Sequence, residues 1–249
     1  MEYKTCASTD DFHEPSLAAG SAWARRLRMV TETKTYDILV RVPLIAWYTF
    51  ICFKLTIQLK SYVASAPADL PDSLFYSNIL WQGSLLLFLV TVMTFIILRP
   101  SPLRKASGLQ PRVTAAMGTF MLSTVVLFSP RMHGVELNVL SAVLILSGHV
   151  LSVYVVFWLG RSVSIMAEAR RLVVRGPYAV VRHPLYIAEE IAVIGLLIQF
   201  FSILTILIVG VHLCLQFRRM INEERVLSQE FPAYEEYARR TARIIPGIY

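Results

Sequence analysis

A short polar stretch in the last third of the chain carries residue types that bind ligands. Residues 172–186 read LVVRGPYAVVRHPLY and stand directly before a long apolar run. The Gly-Pro pair is a turn and helix-start signal, and Pro184 suits the first turn of the helix that follows. A helix N-terminus has free backbone N–H groups, which favour anionic ligand groups such as a carboxylate. We therefore expect His183 and Tyr186 to border a binding site, the alternative being a basic loop anchored by interfacial tyrosines.

A second cluster of charge lies on the far side of that apolar run. Arg219 and Glu223 are four residues apart and would share one helix face. An arginine fork can hold a substrate carboxylate, and a glutamate can bind a cationic or amino group. The plainer alternative is a surface salt bridge, worth a few tenths of a kcal/mol.

The apolar run also contains an acidic pair, Glu189 and Glu190. Carboxylates inside a membrane are costly and are usually functional or paired. Near the membrane boundary they can instead meet Arg182 or water. His149 and His212 have no neighbour at a metal-ligand spacing, so we expect hydrogen-bonded packing roles for both and no metal site.

The elements that must position these residues are membrane helices. Of the 249 residues, 55% are hydrophobic and 16% are charged, whereas a soluble domain carries roughly 25% charge. The run 184–217 would be about 50 Å long as one helix, so we predict two short helices that turn near Gln199 and Ser202. The fold class is therefore an all-α integral membrane protein with six membrane segments, the last two forming this hairpin. The other segments, each near the ~20 residues needed to cross, are 38–59, 79–98, 113–129 and 137–160.

Positive charge sets the expected orientation. Arginine and lysine concentrate in the loops 99–112 and 161–182, which predicts that these loops and both termini are cytoplasmic. The net charge of +7 fits such loops. We find no basic patch interleaved with aromatic residues, the pattern that would indicate nucleic-acid binding. The predicted organisation has three parts. Residues 1–35 form a polar tail able to lie on the membrane surface, and residues 36–160 form four transmembrane helices. Residues 161–249 form a loop, the hairpin and a catalytic segment, which together make a cytoplasmic cofactor pocket.

Taken together and in this order, the two clusters resemble the isoprenylcysteine carboxyl methyltransferase family of membrane enzymes. The resemblance covers roughly the last 90 residues, and it depends on both clusters being separated by a hairpin of the right length. The matching positions are Leu172, Val173, Gly176, Tyr178, Arg182, His183, Pro184, Tyr186, Glu223, Glu224, Leu227, Phe231, Tyr234, Tyr237 and Pro246.

The resemblance implies a methyl transfer from S-adenosylmethionine without a Rossmann domain, and this chain has no GxGxxG. Arg219 would hold the carboxylate of a lipophilic or small-molecule methyl acceptor, and the membrane lipid would surround it. For a thiol or amine acceptor, Glu190, Glu223 or Glu224 would be the candidate base. The implied cofactor-binding residues are Arg170, Leu172, Val173, Tyr178, Arg182, His183, Pro184, Leu185, Tyr186, Glu223 and Glu224.

Departures from the family pattern leave the acceptor open. Pro232 follows Phe231 where glycine is usual, and Ala188 replaces another common glycine. One alternative is an NADPH-dependent membrane sterol or steroid reductase, a group that also carries Arg-His-Pro-x-Tyr, often followed by glycine and glutamate as at Glu189. A small transporter is the other alternative, since six spans are compatible with one.

Overall fold

The structure is a computed structural model that describes residues 34–127 and 134–247. Within these ranges four helices are long and apolar enough to cross a membrane, as expected for a largely helical membrane protein; they are Arg41–Ser65, Asp72–Leu98, Val135–Ser162 and Ile203–Glu230. The predicted polar tail lies almost wholly outside the described residues.

Internal contacts divide the chain into Met1–Val40 and Arg41–Tyr249. In the first unit the structure describes only the beginning of the first helix. Every feature discussed below belongs to the second unit. In order, the elements are α1 Lys34–Ser65, α2 Asp72–Leu98, β1 Arg104–Lys105, α3 Gln110–Thr124, α4 Val135–Leu159, β2 Glu168–Ala169, α5 Pro184–Gln199, α6 Ile203–Glu230 and α7 Tyr234–Arg240.

Two loops that the sequence analysis treats separately are joined by a small antiparallel sheet. Strands β1 and β2 pair with Arg104 opposite Ala169 and Lys105 opposite Glu168. Each strand has two residues, too few to produce an alternating pattern in the sequence. The sheet covers a minor apolar cluster that includes Val226 of α6. It therefore fixes both loops against the C-terminal part of that helix.

Two of the six predicted membrane segments are short. Helix α3 has 15 residues and continues into a 3-10 turn at Val125–Leu127, and α5 has 16 residues. At 1.5 Å per residue α5 is about 24 Å long, less than the ~30 Å hydrocarbon core. By length, four helices qualify as spans, and the count of six stays a prediction.

The hairpin turns where the sequence predicts, but its second helix is not short. Helix α5 ends at Gln199, and α6 begins after Ser202, whose hydroxyl accepts from the Thr205 N–H at 3.0 Å. Helix α6 then continues past residue 217 to Glu230 because the charged stretch that follows contains no glycine or proline and consists largely of good helix formers. One continuous helix therefore carries the second cluster from the membrane region outward.

Small residues allow α4 and α5 to pack very closely. A Cβ atom at Gly148 would lie 2.5 Å from the backbone nitrogen of Ala192, and one at Gly195 would lie 2.7 Å from the carbonyl oxygen of Ser141. Such contacts are typical of membrane helices, where small side chains let backbones approach. The main apolar core then fills the space between this pair and helices α1 and α2.

Candidate functional site

Polar contacts connect the two arms of the α5–α6 hairpin. The Tyr186 hydroxyl donates to the Glu223 carboxylate, and the Gln216 side-chain amide donates to Glu189 at 2.7 Å. Tyr186 and Glu223 come from the two separate sequence clusters. The hairpin therefore brings these clusters into direct contact, with one carboxylate and one phenol at their meeting point.

Arg219 lies beside this contact on the same face of α6. Its guanidinium donates to the Gln216 side-chain oxygen at 2.9 Å and to the Ile165 carbonyl at 3.2 Å, and its carbon lies 5.3 Å from the centre of the Tyr186 ring. Among the described residues no carboxylate forms an ion pair with Arg219, and its buried Nε finds no hydrogen-bond acceptor. Since a desolvated arginine normally has an anionic partner, this group can take one from a ligand.

The two adjacent glutamates of α5 have different surroundings. Glu190 contacts the His212 ring nitrogen Nε2 at 3.1 Å, and its side chain is 26% exposed. Glu189 lines the central cavity, whereas Glu190 is absent from its lining. Of this pair, Glu189 is therefore the carboxylate that a molecule in the cavity can contact, and the base role predicted for Glu190 has no cavity contact to support it.

Glu224 is held in a network that joins the chain's C-terminal segment to the start of α5. Arg243 donates to both carboxylate oxygens, at 2.9 and 2.7 Å, and His183 and Arg182 approach at 3.0 and 3.4 Å. The hydrogen bond that Arg243 donates to the Glu224 carboxylate is the main reason that the pKa of Arg243 is raised. The His183 N–H also donates to the Arg243 carbonyl at 3.2 Å. Glu224 thus orients its neighbours and is itself outside the cavity lining.

Tyrosines from both sides of the loop close the site. The Tyr237 hydroxyl donates to the Tyr178 carbonyl at 2.7 Å, and the rings of Tyr234 and Tyr237 are 5.9 Å apart. Burial raises the pKa of Tyr237 to about 12, and burial followed by the charge of Glu223 raises the pKa of Tyr178. Both phenols therefore stay protonated near neutral pH and can donate hydrogen bonds.

The loop that carries Tyr178 has a conformation that requires glycine. Gly176 has a φ of 63°, and a Cβ atom there would lie 2.5 Å from the Trp158 ring. Gly176 is the first residue of the 3-10 turn Gly176–Ala179. Earlier in the loop, Arg170 pairs with Glu168 at 2.8 Å and donates to the Pro100 carbonyl at 2.9 Å. The loop is thus fixed at both ends.

Many of these groups line one cavity with a volume of about 260 Å³. We call its two parts the polar end and the apolar arm. The polar end is lined by Arg170, Arg171, Leu172, Val173, Tyr178, Arg182, His183, Glu223, Tyr234 and Tyr237. The apolar arm is lined by Ile51, Leu85, Phe88, Leu89, Val92, Leu122, Val126, Val193 and Leu196.

Most of the predicted site residues line this cavity, among them Leu185, Tyr186 and Arg219, and Glu189 lines it as well. Pro184 is absent from the lining, like Glu190 and Glu224. Sequence reasoning missed Tyr48 of α1, which lines the cavity from a helix that carries no motif. No sequence pattern marks this tyrosine, because a single aromatic residue in an apolar helix is ordinary.

Comparison with known families bears directly on this site. Residues 137–233 match the model of the phospholipid methyltransferase family. This family is of the isoprenylcysteine carboxyl methyltransferase type, so the resemblance predicted from the sequence is confirmed. The matched segment includes both clusters and the hairpin between them. The matched model is that of a methyltransferase family, and the long apolar helices indicate that the chain is a membrane protein.

The chain is also similar to two curated proteins. It is 35% identical over 82 residues to the nickel-cobalt-cadmium resistance protein NccN of Alcaligenes xylosoxydans xylosoxydans, which covers 32% of this chain and 38% of that protein. It is 30% identical over 131 residues to the cobalt-zinc-cadmium resistance protein CzcN of Cupriavidus metallidurans, covering 52% and 60%. The chain spans less than two thirds of either relative. Within the described ranges, His, Cys, Asp and Glu form no group of three that could hold a metal ion.

Proposed function

We propose that this protein is an S-adenosylmethionine-dependent membrane methyltransferase that acts on an amphiphilic acceptor. The observation that carries the proposal is the cavity, whose lining combines a polar end with an apolar arm and includes the contacting side chains of Tyr186 and Glu223. A polar cofactor and an apolar acceptor can then meet in this cavity. The match of residues 137–233 to a methyltransferase family supports this reading of the cavity.

The groups at the polar end fit the proposed cofactor chemically. S-adenosylmethionine carries an amino acid group, a ribose diol and an adenine, and when bound it supplies an electrophilic methyl group. Glu223 offers a carboxylate that can accept from a hydroxyl or ammonium group, and the phenol of Tyr178 can donate. His183 is 6% exposed and is fixed by Glu224, so it can present a ring at a defined angle.

Arg219 is the proposed acceptor-binding residue. It lines the cavity, has no ion pair within the described residues and stacks on Tyr186. A carboxylate acceptor such as that of an isoprenylcysteine-type lipid would pair with it and would need no base. The acceptor oxygen would form its bond to the methyl carbon while the carbon–sulfur bond breaks. The protein's task is to align the two reactants and exclude water.

A thiol or amine acceptor would have to lose a proton first. Of the three glutamates considered for this role, Glu224 is occupied by Arg243 and His183, and Glu190 lies outside the cavity lining. Glu223 lines the cavity and has one phenol as its hydrogen-bond partner. It is therefore the glutamate of the three that we propose as base for such acceptors.

The cytoplasm is the proposed side of cofactor entry. The basic loops 99–112 and 161–182 meet at the polar end, where Arg161 donates to the Leu98 carbonyl at 2.8 Å and Arg99 donates to the Ser164 hydroxyl at 3.3 Å. Because positive loops favour the cytoplasmic side, the polar end would open there. The acceptor would enter the apolar arm from the bilayer.

Cofactor binding is the direct test. The detergent-purified protein is titrated with S-adenosylhomocysteine and, separately, with NADPH by calorimetry. We expect micromolar binding of S-adenosylhomocysteine that weakens about tenfold or more in Glu223→Gln and is unchanged in the exposed control Glu235→Gln. Binding of NADPH instead would favour the reductase alternative. If a folded protein bound neither, the methyltransferase proposal would be abandoned and a transporter would gain support.

The acceptor is tested with labelled methyl donor. A prenylated N-acetylcysteine, its methyl ester and an alkyl thiol are compared as acceptors. For the free acid, Arg219→Lys should lower kcat/KM by about 10- to 100-fold, because a lysine cannot reproduce a bidentate contact with a carboxylate. S-adenosylhomocysteine binding should change little. Methylation of the thiol with no effect of the substitution would argue against the carboxylate acceptor.

A further inference from the structure

Two polar side chains interrupt the apolar arm, and the proposed methyl transfer uses neither of them. His149 and Ser152 are one turn apart on α4 and both line the cavity. They are 7% and 0% exposed. With Val156 and Leu159 they form the stripe of α4 that faces the cavity, since these positions repeat every three or four residues.

The Ser152 hydroxyl has no hydrogen-bond partner among the described residues. Other serines of these helices behave differently: Ser84, Ser141 and Ser147 donate to the carbonyls of Trp81, Asn138 and Leu144 in their own helices. A fully buried hydroxyl without a partner is rare, because its desolvation is not compensated. Its place in the cavity wall points to a ligand atom as the missing partner.

His149 beside it is held in a fixed orientation. Its Nδ1 hydrogen-bonds with the Ser84 hydroxyl at 3.0 Å, and its ring stacks on Phe88 with 5.2 Å between centroids. These contacts agree with the packing role predicted from the sequence. They also leave the second ring nitrogen, Nε2, without a protein partner in the described part of the chain. Two neighbouring hydrogen-bonding groups are thus available in an apolar wall.

We propose that His149 and Ser152 form a hydrogen-bonding subsite for an uncharged oxygen group, a hydroxyl or ester carbonyl, within the chain of an amphiphile. The inference rests on the proposed function, in which the charged end of this amphiphile lies at Arg219. Leu159 is the last residue of α4, before the loop that carries Arg170 and Tyr178 of the polar end, and His149 lies about 15 Å from Leu159 along the helix. The subsite is therefore distant from the polar end. A plain hydrocarbon chain would leave both groups unpaired, and the subsite would select against it.

Fatty acids that differ in one hydroxyl group test the proposal without any methyl transfer. Stearate and hydroxystearates with the hydroxyl at successive carbons compete with labelled stearate for the detergent-solubilised protein. We expect the isomer whose hydroxyl reaches the subsite to bind about fivefold more tightly than stearate, which is about 1 kcal/mol and is typical of one hydrogen bond. Isomers with the hydroxyl elsewhere should bind no better than stearate.

Matched serine variants identify the subsite. Ser152→Ala should abolish the preference among the isomers, whereas Ser147→Ala on the exposed face of the same helix should keep it. Equal affinities for all isomers in the unchanged protein, or a preference that survives in Ser152→Ala, would overturn the proposal. So would a failure of every fatty acid to bind. Titration of the same samples with S-adenosylhomocysteine reports separately on the cofactor site, so the two proposals can fail independently.

Discussion

Replacing Glu224 with glutamine should destabilise the protein although Glu224 does not line the cavity. Its carboxylate accepts two hydrogen bonds from Arg243, at 2.9 and 2.7 Å, and one contact each from His183 and Arg182. All four side chains are at most 17% exposed. Glutamine keeps the shape but removes the charge and one acceptor. Because breaking a buried charge pair leaves its partner uncompensated, we expect a loss of about 3 kcal/mol.

A double-mutant cycle isolates the part due to Arg243. The free energy of unfolding is measured in mixed micelles titrated with dodecyl sulfate for Glu224→Gln, Arg243→Gln and the double variant. Hydrogen bonds to charged groups are worth about 1.5–3 kcal/mol, and the coupling energy should fall in this range. Glu235→Gln, on an exposed position of α7, should change stability by less than about 0.5 kcal/mol. Additive single effects would show that Glu224 does not anchor the C-terminal segment.

Further substitutions test two close glycine contacts and one surface ion pair. Gly148→Ala should cost about 1–3 kcal/mol by thermal unfolding because the α4–α5 backbones must separate, whereas Gly210→Ala, with open space around it, should be neutral or slightly stabilising. Gly176→Ala should cost about 1–2 kcal/mol of stability for its φ of 63° alone, in addition to the collision of the new Cβ atom with the Trp158 ring. Combining it with Trp158→Ala should remove only the cost of that collision. Glu230→Gln removes a half-exposed ion pair, so denaturant unfolding should shift by less than about 1 kcal/mol.

The sequence was most informative about which residues come together. The helix-start signal at Pro184, the polar turn before Ile203 and the spacing of Arg219 and Glu223 suffice to place the two clusters on opposite arms of a hairpin. The structure adds the contact between Tyr186 and Glu223, which follows once both helices lie side by side. Local signals were strong here because they concern helix ends and residues four apart, which depend little on the rest of the fold.

Features that depend on helix rotation or on distant partners could not be predicted in this way. Glu189 and Glu190 differ by one residue, about 100° around the helix, and only the position of α6 decides which one lines the cavity. The partner of Glu224 is Arg243, which lies beyond α7 in a segment without a strong pattern. Helix α3 begins at Gln110, three residues before the predicted segment 113–129, because hydropathy marks apolar residues and does not show where a helix begins.

The rigid contact between α4 and α5 links the geometry of the two parts of the cavity. Helix α5 carries Tyr186 near the polar end and Leu196 in the apolar arm, while α4 carries Ser152 on the opposite wall. Gly148 and Gly195 fix the distance between these walls from outside the cavity lining, because added side-chain atoms would collide with the facing backbone. In the proposed reaction the acceptor is aligned by groups on both helices, and effective alignment tolerates shifts of less than about 1 Å. Enlarging either glycine should therefore lower methyl transfer more than cofactor binding.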